Sequence, residues 1–391
     1  MVHSVYAHMP ITVFEEMSGL ASRLGAVNLG QGFPDGPGPL ALRQKAADAV
    51  LNGYNQYPPM VGLPELRQAV ADHYRRTQGL DFDGASEVTI TSGATEALAA
   101  AFLALVKPGD EVVVFQPVYD AYLPLIRRAG GVPKLVTLQP PHWRFDRTML
   151  EAVFSDRTRL VVLNNPINPA GVVLPREDLD LLAEFCITYD AVAICDEVWE
   201  QVVFDGAVHT PLIALPGMRA RTVKIGSAGK MFGLTGWKVG FLCASPALTH
   251  GLSRAHQFLT FTTPPNLQTA VAFGLNEPGD WFTTMHRALQ DSRDRLSAGL
   301  IRAGFSVLPS QGTYFLNVDL MASGIVEGDR DFALRAVKDA GIAAIPVSAL
   351  YEVDPVTHIL RLCFSKADST LDLGIERLAR ARDLSRAAAQ I

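Results

Sequence analysis

Cysteine is scarce in this chain. Four stand in 391 residues, Cys186, Cys195, Cys243 and Cys363, far apart and each inside an apolar run. That spacing excludes a cysteine-based metal site and reads as buried free thiols in a reducing compartment. Long apolar stretches are missing as well: none approaches the roughly 20 residues that span a bilayer. The opening Met1-Val2-His3-Ser4 has neither the basic nor the apolar region of a secretion signal, so a cytoplasmic protein is expected. Basic runs are absent, and 34 Lys and Arg against 40 Asp and Glu leave a net charge of −6. Neither nucleic acid nor a membrane is an expected partner. No G-x-G-x-x-G follows a strand-like run, which disfavours a nicotinamide-dinucleotide site, and neither G-x-x-x-x-G-K-[ST] nor G-x-S-x-G occurs. There are no repeats, and only a slightly Ala-rich C-terminal tail approaches low complexity.

What is present is core-forming material, 48% hydrophobic, long enough for two or three domains. Residues 1–27 contain a short amphipathic helix, with Val13, Phe14, Met17, Leu20 and Ala21 at helical spacing. The Gly- and Pro-rich segment from Asn28 to Pro39 is either a linker or a backbone brought close to a ligand. Helices are expected over 40–51 and 64–77, with Tyr54-Asn55-Gln56-Tyr57 in the loop between them. From residue 87 apolar runs recur at 87–91, 111–115, 134–138, 159–164, 191–196, 222–226 and 239–244, with helix-like segments at 93–106, 118–129 and 176–189. This predicts an α/β fold whose mainly parallel central sheet is sandwiched by helices, with ligands at the strands' carboxyl ends. Asn276-Glu277-Pro278-Gly279-Asp280 breaks the pattern. A helix over about 281–303, strands at 305–308, 313–318, 342–345 and 358–364, and helices at 330–340 and 370–390 then predict a smaller α+β domain. The expected division is 34–280 for the large domain, and 1–33 with 281–391 for the small one.

The chemistry gathers on loops after the strands. Lys230 lies in Ser227-Ala228-Gly229-Lys230, between strand-like runs and before the turn Thr235-Gly236-Trp237-Lys238. Small, apolar surroundings strip an amine of water, lower its pKa and make it a nucleophile able to join an aldehyde cofactor; a solvated loop lysine is the plain alternative. Ser227 and Lys238 offer a hydroxyl and a cation suited to phosphate. The turn Thr91-Ser92-Gly93-Ala94-Thr95 opens a helix whose free amides suit an anion, or is simply a capped helix start. Asn164-Asn165-Pro166-Ile167-Asn168-Pro169-Ala170-Gly171 is a fixed loop carrying neutral donors, or a plain turn. Asp196, ending an apolar strand, needs a partner or caps a helix. Arg361 interrupts Ile359-Leu360-Arg361-Leu362-Cys363-Phe364, so it holds a fixed anion, internal or external.

Taken in order, these motifs resemble the class I/II aminotransferases, fold type I pyridoxal-phosphate enzymes, and within them the branch of kynurenine aminotransferase, glutamine transaminase K and methionine aminotransferase. The resemblance covers nearly the whole chain and adds Asn28–Asp35, Asn55-Gln56-Tyr57 and Gly312-Thr313-Tyr314-Phe315 to the stretches above. It implies an enzyme that moves an amino group from an amino acid to a 2-oxo acid; with Arg361 as one carboxylate site and Phe14, Tyr57, Tyr119 and Phe261 as apolar and aromatic pocket candidates, the expected donor is uncharged (methionine, glutamine or an aromatic one) rather than aspartate. It further implies that Lys230 holds pyridoxal 5'-phosphate as an aldimine and shuttles the proton, while Asp196 faces the pyridinium nitrogen. Asn168 would donate to the phenolic oxygen and Tyr119 would stack on the ring. Ala94, Thr95, Ser227 and Lys238 would hold the phosphate, joined by Tyr57 from a second subunit of a homodimer. Gly32, Asn168 and Arg361 would bind the substrate carboxylate, and Phe14 would line the side-chain pocket, with Phe261 a further candidate. Two positions depart from the family pattern: Trp199 replaces a tyrosine, leaving a second hydrogen bond to the phenolic oxygen open, and Ile167 stands where His or Asn is common. Cysteine-conjugate β-elimination or succinyl-diaminopimelate transamination on the same scaffold is the near alternative, and a non-catalytic binding module the remote one.

Overall fold

The computed structural model describes residues 2–7, 9–277 and 279–388. Six largely buried runs and a partly exposed edge run, Val132–Thr137, form one sheet: β1 (Val88–Thr91), β2 (Glu111–Gln116), β3 (Val132–Thr137), β4 (Thr158–Asn164), β5 (Val192–Asp196), β6 (Thr222–Ser227) and β7 (Gly240–Cys243). Their order across the sheet is β1-β7-β6-β5-β4-β2-β3. All neighbours pair parallel except β7, which runs against both β1 and β6.

Strand side chains alternate between faces, and two cores follow from that. Val112, Val114, Leu160, Val162 and Ile194 pack with the helices Ala94–Leu105 and Tyr122–Arg128. Val113, Val161, Leu163, Ala193 and Cys195 pack with the helix Arg176–Thr188. Burying both faces is what makes these strands read as continuous apolar runs. All four cysteines are free and buried.

Four further strands pair antiparallel in the order β10-β11-β9-β8: β8 (Ser306–Val307), β9 (Phe315–Asp319), β10 (Ile345–Pro346) and β11 (Ile359–Cys363). The helices Trp281–Arg302 and Asp368–Ala388 pack on each other beside this sheet. The N-terminal helix Val13–Leu24 is capped by the Thr12 side chain and ended by Gly25 in the left-handed region.

Several expected elements differ. The helix anticipated over 118–129 begins at Tyr122, because the Val118 amide is drawn to the Leu350 carbonyl. The strand anticipated at 342–345 divides: Ile342–Ala343 pairs parallel with Val27–Asn28, and Ile345–Pro346 joins β11. The helix anticipated at 330–340 is α-helical over Asp329–Arg335 and closes with a π-turn at Ala336–Ala340. That over 370–390 spans Asp368–Ala388, with residues 389 and 390 outside the described residues, as is Pro278 of the 276–280 break. Helices Pro246–Leu259 and Pro265–Asn276 were not anticipated, although each begins with a proline, a usual first helical residue. Among the described residues no helix is long and apolar enough to cross a membrane.

Candidate active site

The carboxyl ends of β1, β4, β5 and β6 open onto one cavity of about 240 Å³. Every expected cofactor residue except Tyr57 lines it. Tyr57 is 80% exposed and packs edge-on against Phe261, 5.3 Å between centroids; neither lines this cavity.

At one end, Gly93 takes φ +80 and starts the helix Ala94–Leu105, turning that helix's free amides to the cavity. A Cβ on Gly93 would lie 3.1 Å from Lys238 Cε, so the lysine stem crosses just over the helix start. Lys238 itself is in the left-handed region, φ +53, one residue before Val239 leads into β7. From behind, a Cβ on Gly240 would sit 2.7 Å from the Gly93 carbonyl carbon and 2.8 Å from the Ala94 amide nitrogen. Ser227 caps the short helix Ala228–Met231 by accepting from the Lys230 amide, which leaves its hydroxyl proton free to donate. Free amides, a hydroxyl proton and an ammonium at a helix start are the donors that suit an anion.

At the other end, Asp196 is buried at the end of β5. Tyr122 Oη donates to Asp196 Oδ2 at 2.5 Å, and Oδ1 is buried with no partner. Burial pushes the Asp196 carboxyl up, opposed by the Tyr122 hydrogen bond. An unpartnered carboxylate oxygen on a residue that lines the cavity fits a ligand that brings a proton on nitrogen. Tyr122 carried no expectation from sequence; the signal available was its three-residue spacing from Tyr119, which would put both on one helical face.

The residue after Asp196 faces away from the cavity. Glu197 and Glu200 both bind the ammonium of Lys224, the latter at 2.5 Å, and all three side chains are buried. Tyr74 Oη and Gln78 Nε2 also donate to Glu200, at 2.8 and 2.6 Å. The turn 196–200 therefore shows Asp196 and Trp199 to the cavity and is fastened to the fold by its opposite side.

Lys230 Nζ lies 4.5 Å from the Trp199 ring centroid and donates to Tyr314 Oη at 2.9 Å. Burial brings its amine down to about 8, although nearby Asp196 raises it. Near neutral pH a usable fraction is the free base. Tyr119 stands at the wall, its hydroxyl 3.5 Å from Thr95 Oγ1.

Arg361 is 1% exposed. Its guanidinium donates to Asn168 Oδ1 at 3.0 Å and to the Gly30 carbonyl at 2.7 Å, and its Nε is buried without a partner. Phe315 and Phe14 cover it, 3.9 and 5.0 Å from ring centroid to Cζ. Burial pulls it down to about 10, so it stays a cation. Among the described residues it forms no ion pair, which sets aside an internal salt bridge. A guanidinium accepts nothing, so Asn168 turns its oxygen to Arg361 and its NH₂ group elsewhere. Gly32 closes the same corner: a Cβ there would be 2.7 Å from Phe315 Cζ. Ile167 is buried among Phe115, Phe145 and Leu163, a packing role.

Comparison with known proteins gives the family. Residues 25–378 match the family model for aminotransferase class I and II, and the chain belongs to that family. It is 44% identical over 379 residues to a probable N-succinyldiaminopimelate aminotransferase of Mycobacterium tuberculosis, covering 94% of this chain and 95% of that one. It is 41% identical over 368 residues to the methionine aminotransferase of Escherichia coli, with the same coverages. A solved structure of N-succinyldiaminopimelate aminotransferase from Mycobacterium tuberculosis superposes with a TM-score of 0.94 at 43% identity, covering 97% of this chain and 100% of that one. The fold is therefore that of the fold type I aminotransferases, and the protein is an aminotransferase.

Proposed function

We propose that this protein uses pyridoxal 5'-phosphate, held in the cavity at Lys230, to move the amino group of an uncharged amino acid to a 2-oxo acid. The observation that carries this is the pairing of two incomplete groups across one cavity: an amine lowered to about 8 at Lys230 and a buried, unpartnered oxygen on Asp196. Bound pyridoxal phosphate supplies an electron sink for negative charge developing at the amino acid's Cα. Asp196 places its charge opposite the ring nitrogen and keeps a proton there. The Ala94 and Thr95 amides, Ser227 and Lys238 hold the phosphate, Tyr119 covers a ring face, and Asn168 donates to the phenolic oxygen. Lys230 takes the proton from Cα and returns it. Arg361, with Asn168 and Gly32, orients the substrate carboxylate, and Phe14 lines the space for the side chain.

The two parts of the chain divide this work: 34–280 holds the cofactor, while 1–33 with 281–391 brings the carboxylate site. Tyr57, exposed here, supplies a phosphate contact to a second copy, which makes the unit a homodimer working in the cytoplasm. Mixing Tyr57→Phe with Lys230→Ala subunits tests this, since exchange regenerates one intact site and raises activity; shared sites are refuted by exchange without gain.

The substrate class rests on Arg361 as one carboxylate anchor bounded by Phe14 and Phe315. An amino-donor panel with a fixed acceptor tests it. Methionine, glutamine or an aromatic amino acid should exceed aspartate in kcat/KM, and the reverse order refutes the assignment. The 44% likeness to a probable N-succinyldiaminopimelate aminotransferase places a succinylated diaminopimelate-type substrate in the same panel. Lys230→Ala should lose turnover by at least the ~10²–10⁴-fold typical of general acid–base catalysis.

A further inference from the structure

Gly312-Thr313-Tyr314-Phe315 stands out in the sequence, yet the reading above gives Tyr314 no task. The side chain is 2% exposed and its hydroxyl sits between two partners. Tyr314 Oη lies 2.6 Å from the Gly32 carbonyl and 2.9 Å from Lys230 Nζ. A carbonyl only accepts, so the phenolic proton points to Gly32. The phenolic oxygen therefore turns a lone pair to Lys230 and accepts from its amine. The ring is held by Trp199, at 4.3 Å and 86° to it, and by Phe315 at 5.1 Å. Its carbonyl accepts from the Phe364 amide at 3.0 Å. A phenylalanine would fill the same space, so packing alone does not account for the hydroxyl.

We propose that Tyr314 is the acceptor on which the Lys230 amine docks whenever that amine is not covalently engaged. The inference rests on Lys230 being the reacting lysine, as proposed above. A free lysine on four rotatable bonds loses its orientation unless something fixes it. Tyr314 takes one N–H, and the amine keeps its lone pair for the proton it must collect. Because the same hydroxyl donates to Gly32, lysine orientation is tied to the segment that meets the substrate carboxylate.

Tyr314→Phe tests this in two measurements. In the apoenzyme, the pH dependence of Lys230 acetylation by acetic anhydride, read by mass spectrometry, gives the amine's titration directly. Loss of an acceptor that favours the ammonium should lower the midpoint from about 8 by ~0.5–1 unit. In the loaded enzyme, kcat should fall about tenfold or more because orientation of the amine is lost, while any rise in KM for the amino acid reports the lost tie to Gly32. A purely structural tyrosine would change stability and leave the midpoint alone. If the Phe variant does not fold, Tyr314→Met must move the midpoint in the same direction. An unchanged midpoint together with unchanged kcat overturns the docking role. The lysine assignment is judged separately: a Lys230→Ala enzyme that still turns over overturns both, whereas an inactive Lys230→Ala beside an unaltered Tyr314→Phe overturns docking alone.

Discussion

Tyr122 donates its hydroxyl to one oxygen of Asp196 at 2.5 Å and leaves the other oxygen buried and unmet. The second oxygen is left to accept a charge-assisted hydrogen bond from a ligand. Hydrogen bonds to charged groups contribute roughly 1.5–3 kcal/mol. Asp196→Asn should therefore weaken pyridoxal phosphate binding at least ~tenfold, a change that equilibrium titration of the apoenzyme reads. Unaltered affinity would place the ring nitrogen elsewhere.

Arg361→Lys keeps the charge but loses the planar fork, the contacts to Asn168 and Gly30, and the stacking on Phe315. KM for every amino-acid substrate should rise at least ~tenfold, the scale of a lost charge-assisted contact. The bound cofactor's absorption spectrum should stay as it is. A KM within twofold of the parent would remove Arg361 from the carboxylate site.

At Trp199 the structure shows a wall, its ring face 4.5 Å from the Lys230 amine. A tyrosine there would present a hydroxyl donor toward the phenolic side of the cofactor and favour its unprotonated form. Trp199→Tyr should consequently lower the pH midpoint of the cofactor's visible absorption change. Coincident titrations, or a higher midpoint in the tyrosine variant, would show that the indole already fills that role.

Behind the cavity, the Lys224 ammonium bridges a pair of buried carboxylates, Glu197 and Glu200. Burial pushes Glu197 up, and Lys224 and His209 hold it net down at about 2. Its unfolded value is about 4.3. With the folded value lower, its contribution to stability is complete above the unfolded value and is lost as pH falls through about 2. Lys224→Met leaves two buried carboxylates without their cation and should cost ~3–5 kcal/mol, measurable by chemical denaturation at neutral pH. A loss below 1 kcal/mol would mean that water or His209 replaces the ammonium.

How far the sequence led differs by kind of residue. Lys230, Asp196 and Arg361 were legible because each is a charged group in apolar surroundings, where burial demands a partner. Most of the central strands were legible because burial on both faces makes continuous apolar runs, whereas the edge strand Val132–Thr137 is only partly buried. Tyr122 and Tyr314 were not, because a tyrosine in an amphipathic or apolar stretch is compatible with ordinary packing, and only geometry shows where its hydroxyl points. The split of 342–345 was equally hidden: Ile342 and Ile345 read as one run, yet their partners, Val27 and Arg361, lie in distant parts of the chain. Lys224 lies inside the run 222–226 with nothing local to mark a partner; its two carboxylates come from the turn after β5, a meeting that strand order decides.

Reversal of β7 has a consequence for how the anion cradle can change over time. Gly240, at the start of that strand, presses directly against the backbone of Gly93 and Ala94. One added methyl there would have to push the helix start forward into the cavity, since the neighbouring atoms are main chain and cannot swing aside. The width of the cradle is thus governed by a residue that no ligand touches. Trp199 lines the cavity and can change without moving main chain, whereas the back wall at Gly240 cannot.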